Sequence, residues 1–208
     1  MTTLASHPQR NSIRLQLRQN QMLQGMSQAQ WNELEPLLTV ADYRKGEPLV
    51  RQGDEEMQQF FILEGMLKRV VSNPQGREMI LRFAAENEMD TSYAAWRLRT
   101  PVPYSITAVT KVRIAELPMP LWVEFMEKNA DLKLRFEYEV MRLMSEVMAH
   151  TITLHLLDAP GRLLRIQRKH PELAGRIPKK ELAAYLNLTP ETLSRLKHSK
   201  RGRVRPGL

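Results

Sequence analysis

The chain has 208 residues, 42% of them hydrophobic, a formal net charge of +8 and no cysteine. That length suits one or two domains with ordinary cores, and the lack of cysteine excludes disulfides, thiolate metal sites and cysteine-ligated iron–sulfur clusters. Residues 161–208 hold 13 Lys/Arg against 3 Asp/Glu, a net of +10, while residues 1–160 come to −2. A nucleic acid or an anionic surface is the expected partner of that last quarter, with a solvated basic tail as the plainer alternative.

No apolar run is long enough to span a membrane, and the N-terminus lacks the basic-then-apolar order of a secretory signal. A soluble cytoplasmic protein without a membrane partner is expected. Residues 1–12 read as flexible. Helical signals follow over 13–39, where Ser27 and Gln30 form a capping box before Trp31, Leu34, Leu37 and Leu38.

From Ala41 the pattern changes to strands and turns. Gly46 and Gly53 mark turns around a short strand. Phe60–Leu63 is a buried strand ending near Gly65, and Asn73-Pro-Gln-Gly76 is a hairpin turn between Met66–Val71 and Met79–Phe83. Ser105–Val109 and Lys111–Leu117 are further strands. Short strands at this spacing predict a compact β-sandwich or barrel.

Pro118–Asn129 is helical, and a longer helix begins near Asp131. Phe136, Val140, Leu143, Val147, His150 and Leu154, followed by Leu157, recur at spacings of four and three. That spacing suits a dimerisation seam or a helix buried in its own chain, and His150 reads as a polar seam residue that sets register. Asp158-Ala-Pro-Gly161 breaks the helix, and Arg162–Lys169 is a basic helix.

Residues 177–196 read as two short helices joined by a tight turn. Leu182 and Leu186 face inward from the first helix, and Asn187 suits a left-handed turn. Thr189 is an N-cap, Pro190 fits the first helical position, and Leu193 and Leu196 face inward again. This is the layout of a helix-turn-helix, whose second helix enters the DNA major groove.

Three stretches resemble the Crp/Fnr family of bacterial transcription regulators. They are Lys45–Asp54 with Phe61–Gly65, Leu157–Leu164, and Leu188–Arg195. The resemblance implies an α+β fold: an N-terminal double-stranded β-helix (jelly-roll, cyclic-nucleotide-binding-like) domain, a long dimerisation helix and a C-terminal helix-turn-helix domain. The expected division is 1–24 for a flexible or helical extension, 25–128 for a β-roll sensor, 129–157 for the dimer helix and 158–208 for the DNA-binding domain, with Leu157–Gly161 as hinge.

Carried onto this sequence, the family's base-reading glutamate falls on Glu191 and its base-reading arginine on Arg195. Arginine can donate two bonds to guanine, and glutamate can accept from cytosine. Lys179, Thr189 and Thr192 match positions that touch phosphates, while Ser194, Lys197, Lys200 and Arg201 complete the expected DNA-binding set. Two departures stand out. Pro190 replaces an arginine found in a cyclic-AMP-binding member, and the C-terminus is too short for a full β-wing, so Lys200, Arg201, Arg203 and Arg205 are expected to act as a phosphate-contacting tail.

Family members that bind cyclic nucleotides use Gly-Glu and then Arg-Ser or Arg-Thr. Here Asp90-Thr91 and Val102-Pro103 fall near those positions, and the acidic run Glu86, Glu88 and Asp90 would repel a phosphate. Cyclic nucleotide binding is therefore expected to be weak or absent, unless an unusual cassette uses Arg97 or Arg99. The expected effector-pocket residues are Arg82, Asp90, Thr91, Arg97, Arg99, Tyr104 and Ser105, and the small-molecule effector is unknown. No cofactor or metal is expected: the five histidines are scattered, and none lies in the β-roll.

The leading expectation is a homodimeric, sequence-specific regulator of transcription that binds double-stranded DNA and works with RNA polymerase. The alternative is a ligand-binding β-roll with a nonspecific nucleic-acid-binding tail. No residue grouping supports an enzyme.

Overall fold

A computed structural model describes residues 2–76 and 78–201, with the backbone alone given for 199–201. β1 (Thr2–Thr3) pairs antiparallel with β2 (Thr39–Tyr43). Leu4 follows and is fully buried, leading to α1 (Arg10–Gln19). The flexible reading of residues 1–12 is thus corrected: Leu4 anchors the segment in the core, and the backbone of Thr2 and Thr3 covers the edge of β2. α2 (Gln28–Leu34) starts at the expected capping box. The Gln30 N–H donates to Ser27 Oγ at 3.2 Å, and the Ser27 N–H donates to Gln30 Oε1 at 2.8 Å.

β3 (Pro48–Val50), β4 (Gln58–Glu64), β5 (Met66–Ser72), β6 (Glu78–Ala85) and β7 (Met89–Thr91) come next. α3 (Tyr93–Leu98), β8 (Ser105–Ala108) and β9 (Val112–Pro118) complete the β-roll. Two antiparallel sheets result, in the orders β1-β2-β9-β4-β7 and β3-β8-β5-β6. Gly65, at φ +88°, lets the chain pass from one sheet to the other; a Cβ there would lie 2.2 Å from the Lys111 carbonyl oxygen. β4 is buried from Gln59 to Leu63, as its apolar run required, because the second sheet covers one face and helices cover the other. β7 and α3 are too short for a sequence period to reveal.

α4 (Met119–Glu127) leads into α5 (Ala130–Leu156). Trp122 binds both to the roll, its ring centroid 5.4 Å from that of Phe61 and 5.4 Å from that of Phe136, edge to face in each case.

The six residues expected as a dimer seam do not form an open face. Phe136, Leu143 and His150 are buried within this chain, and Val140, Val147 and Leu154 are half-buried. The open apolar stripe is Leu134, Tyr138, Met141, Met148 and Ile152, with Met144 and Leu156 beside it. It has the same four-three spacing displaced by two residues, roughly 200° around the helix. Spacing alone does not say which of two such stripes meets the roll.

α6 (Ala159–Lys169), α7 (Pro171–Arg176), α8 (Lys179–Tyr185) and α9 (Pro190–Arg201) follow. Asp158 caps α6, its carboxylate accepting the Gly161 N–H at 2.8 Å, which accounts for the break read at Asp158–Gly161. Leu163, Ile166, Ile177, Leu182, Leu186 and Leu193 share a core with Met66, Val70, Ile80 and Phe83 of β5 and β6. These C-terminal helices therefore complete their packing on the outer face of a sheet.

Candidate nucleic-acid interface and effector region

α8 and α9 form the helix-turn-helix read from the sequence. Asn187 takes φ +52° between them, and the Thr189 hydroxyl accepts the Thr192 N–H at 3.2 Å. Leu182, Ala183, Leu186 and Leu193 are buried, which fixes the rotation of both helices. Glu191 and Arg195 are exposed and stand one turn apart on a shared face. Arg195 Nη2 reaches the Thr192 hydroxyl at 3.4 Å. The free backbone N–H of Glu191 and the Thr189 hydroxyl hold the Glu191 carboxyl below its usual range, keeping it an acceptor.

Lys179 is exposed in the first turn of α8, Thr192 and Ser194 are half-buried, and Lys197 is exposed on another side of α9. The side chains of Lys200 and Arg201, and all of Arg203 and Arg205, lie outside the described residues.

The expected effector residues separate into two groups. Arg82, Asp90, Thr91 and Tyr104 meet inside the roll, while Arg97 and Arg99 are exposed around the end of α3. Arg99 caps that helix at φ +54°, so neither arginine enters the interior. Ser105 is half-buried and accepts the Gln52 N–H at 3.0 Å. The seven residues expected as one effector pocket are therefore not brought together: Arg97 and Arg99 stand apart from the buried group.

Arg69, which the sequence reading passed over, is central. It faces Arg82 directly across the β5–β6 ladder. Asp90 sits between them, accepting from Arg69 Nη2 and, at 3.2 Å, from Arg82 Nη1. All three are nearly inaccessible to solvent. Burial disfavours the Arg69 charge, but the Asp90 carboxylate outweighs it and raises the guanidinium further. The Tyr104 ring lies 4.1 Å from the Arg69 guanidinium, and its hydroxyl donates to the Thr91 carbonyl at 2.9 Å.

Nor is the acidic run one repelling surface. Glu86 accepts from Arg176 at 2.7 Å and from the Gly65 N–H at 2.8 Å, and Glu88 accepts the Ala85 N–H at 2.9 Å. Each carboxylate is already engaged. Inside the roll, the Asp90 carboxylate already pairs with both buried arginines.

Arg162 was also missed. It donates from Nε to the Leu157 carbonyl and from Nη1 to the Leu186 carbonyl, both at 2.9 Å, tying the expected hinge to the end of α8.

No helix among the described residues is long and apolar enough to cross a membrane. A family description, the cyclic nucleotide-binding domain, matches residues 40–129. The cAMP-activated global transcriptional regulator CRP of Salmonella typhimurium is 20% identical over 167 residues, covering 76% of this chain and 80% of CRP. The nitrogen fixation regulation protein FixK of Bradyrhizobium diazoefficiens is 23% identical over 190 residues, covering 86% of this chain and 78% of FixK. A solved protein assigned to the crp/fnr family, from Eubacterium rectale, shares the fold at a TM-score of 0.69 and 14% identity, over 89% of this chain and 88% of that one. Residues 40–129 thus match a cyclic nucleotide-binding domain, and the chain as a whole is similar in sequence to the regulators CRP and FixK and in fold to a solved protein of the Crp/Fnr family.

Proposed function

We propose that this chain is a homodimeric, sequence-specific DNA-binding regulator of transcription whose effector is not a cyclic nucleotide. The observation that carries the reading is Glu191 and Arg195, exposed one turn apart on a helix whose start is capped and whose inner face is buried. Arg195 would read guanine and Glu191 cytosine, while Lys179, Thr189, Thr192, Ser194 and Lys197 would meet phosphates and set register. The open stripe of α5 supports dimerisation, because an apolar face of that length on an exposed helix calls for a partner helix. Two copies related by a twofold axis would place two α9 helices one DNA turn apart, on a palindromic site.

The division into an extension (1–24), a sensor (25–128), a dimer helix (129–157) and a DNA-binding unit (158–208) belongs to this reading. So do RNA polymerase as a further partner and a cytoplasmic location. The ion cluster of Arg69, Asp90 and Arg82 supports the exclusion of cyclic nucleotides, since the roll supplies its own anion.

Selection of bound duplexes from a random library, with Arg195→Ala in parallel, tests the reading. A palindromic consensus that the variant loses or relaxes is expected. Salt-dependent binding without a preferred sequence would instead establish a β-roll with a nonspecific basic tail.

A further inference from the structure

Between the roll and the C-terminal helices lies a second polar region, separate from the buried ion cluster but sharing Arg82 with it. A cavity of about 70 Å³ is bounded by β6, α5, α6 and α8. That is room for roughly five waters, or for a ligand of a few heavy atoms. Its walls are amphipathic. Leu81, Phe83, Ile166 and Leu186 supply apolar surface. The His150 and Tyr185 rings stack face to face at 3.7 Å and 2° on one side.

The charges around this cavity do not balance. Arg82, Arg162, Arg165 and Lys169 line it, against Glu88 and Glu146. Glu146 already receives Arg142 at 2.7 Å, and Glu88 receives a backbone N–H. Arg165 and Lys169 stand one turn apart on α6, both exposed, with no ion pair among the described residues. Two like cations at that spacing repel. Arg82 Nε, buried beside them, has no hydrogen-bond partner. An unsatisfied buried donor costs free energy until an acceptor reaches it.

We propose that this cavity binds a small oxyanion, a carboxylate or a phosphate, and is the effector site that governs how the helix-turn-helix is held against the roll. Several elements that meet around α8 contribute to it: Phe83 from the roll, His150 from α5, Arg162 and Ile166 from α6, and Tyr185 from α8 itself. An anion here would neutralise the Arg165–Lys169 pair. It would also compete with Asp90 and Glu88 for Arg82, linking the cavity to the interior of the roll.

Protons would follow the anion. Burial holds His150 down to about 4, with Arg165 pressing the same way and the backbone of Tyr185 and Ile80 offsetting part of it. Burial, then Lys169, lowers His170, which Arg82 also lowers and Glu146 and Glu88 oppose. An anion among these groups would stabilise the imidazolium forms and raise both. The inference rests on the DNA-binding reading only for what occupancy controls; occupancy itself is measured without DNA.

The test follows the histidine Cε1–H resonances of the full chain while sodium acetate or sodium phosphate replaces sodium chloride at constant ionic strength. The expected result is a saturating movement of the His150 and His170 signals, with one bound anion per chain. The arm that saturates at lower concentration identifies a carboxylate or a phosphate ligand. Arg165→Ala with Lys169→Ala removes only exposed side chains, so the fold is retained, and it is expected to weaken binding about tenfold or more. Arg195→Ala is expected to leave it unchanged. Signals that drift equally in chloride, or saturation that survives the double substitution, would overturn the proposal. A chain that binds the anion but selects no DNA sequence would overturn the regulator reading and leave the site standing.

Discussion

Arg69 and Arg82 face each other across a strand ladder, where like charges destabilise, and only Asp90 makes the arrangement tolerable. Asp90→Asn keeps the shape but leaves two buried guanidiniums without a carboxylate. Removing one partner of a buried pair costs about 3–5 kcal/mol, so a loss of that order is expected by urea unfolding. A change below roughly 0.5 kcal/mol would show that the cluster is solvated and open to ligand. At this scale the sequence was readable wherever one residue's own backbone chemistry decides the outcome. Asn187 in the left-handed turn, Thr189 as cap and Pro190 at the first helical position need only their neighbours. Arg69 was not readable. A charged residue in a strand says nothing about which acid will meet it from 21 residues away. The same gap turned Asp90 into an apparent repellent, when its charge is spent on two arginines.

α5 carries two apolar stripes with the same heptad spacing, and the sequence reading took the one that faces the roll. Aromatic anchoring decided the matter: Phe136 fits between Tyr93 and Trp122, at 4.9 and 5.4 Å, and so turns Met141 and Met148 outward. Met141→Glu with Met148→Glu should convert a dimer into monomers in sedimentation velocity, because both side chains are exposed in the single chain and neither supports its core. An unchanged dimer would move the interface elsewhere.

His150, read as a seam residue, is instead stacked on Tyr185. Its imidazole falls from the ordinary 6.5 to about 4, chiefly through burial. Between those values the unfolded chain takes up a proton that the folded chain refuses. Stability is therefore full above about pH 6.5 and falls as the pH drops toward about 4. His150→Phe should flatten that part of a plot of Tm against pH; an identical slope would mean that other groups carry it.

The β-roll and the C-terminal helices are joined by more than the covalent path through α4 and α5. Phe83 meets Tyr185 at 5.2 Å, Lys68 meets Glu181 at 2.9 Å, and Arg176 meets Glu86 at 2.7 Å, around one continuous apolar core. The sequence suggested separate units strung along the chain, because order and spacing carry no sign of which outer faces meet. Its strands, helices and turns were nevertheless largely in place, since each follows from local pattern. Shared burial of this kind predicts one cooperative calorimetric transition, with the calorimetric enthalpy equal to the van't Hoff value. Two separated transitions would show that the units fold independently.

For the molecule as a whole, the central claim is that α9 reads bases. The most direct measurement is a double-mutant cycle on the selected duplex, pairing Arg195→Ala with replacement of the guanine expected to face it, at fixed salt. Each single change should weaken binding by about 1–3 kcal/mol, and the second should cost little once the first is made. Fully additive losses, or an Arg195→Ala effect equal on every sequence, would reduce Arg195 to a phosphate contact and contradict base reading by this helix.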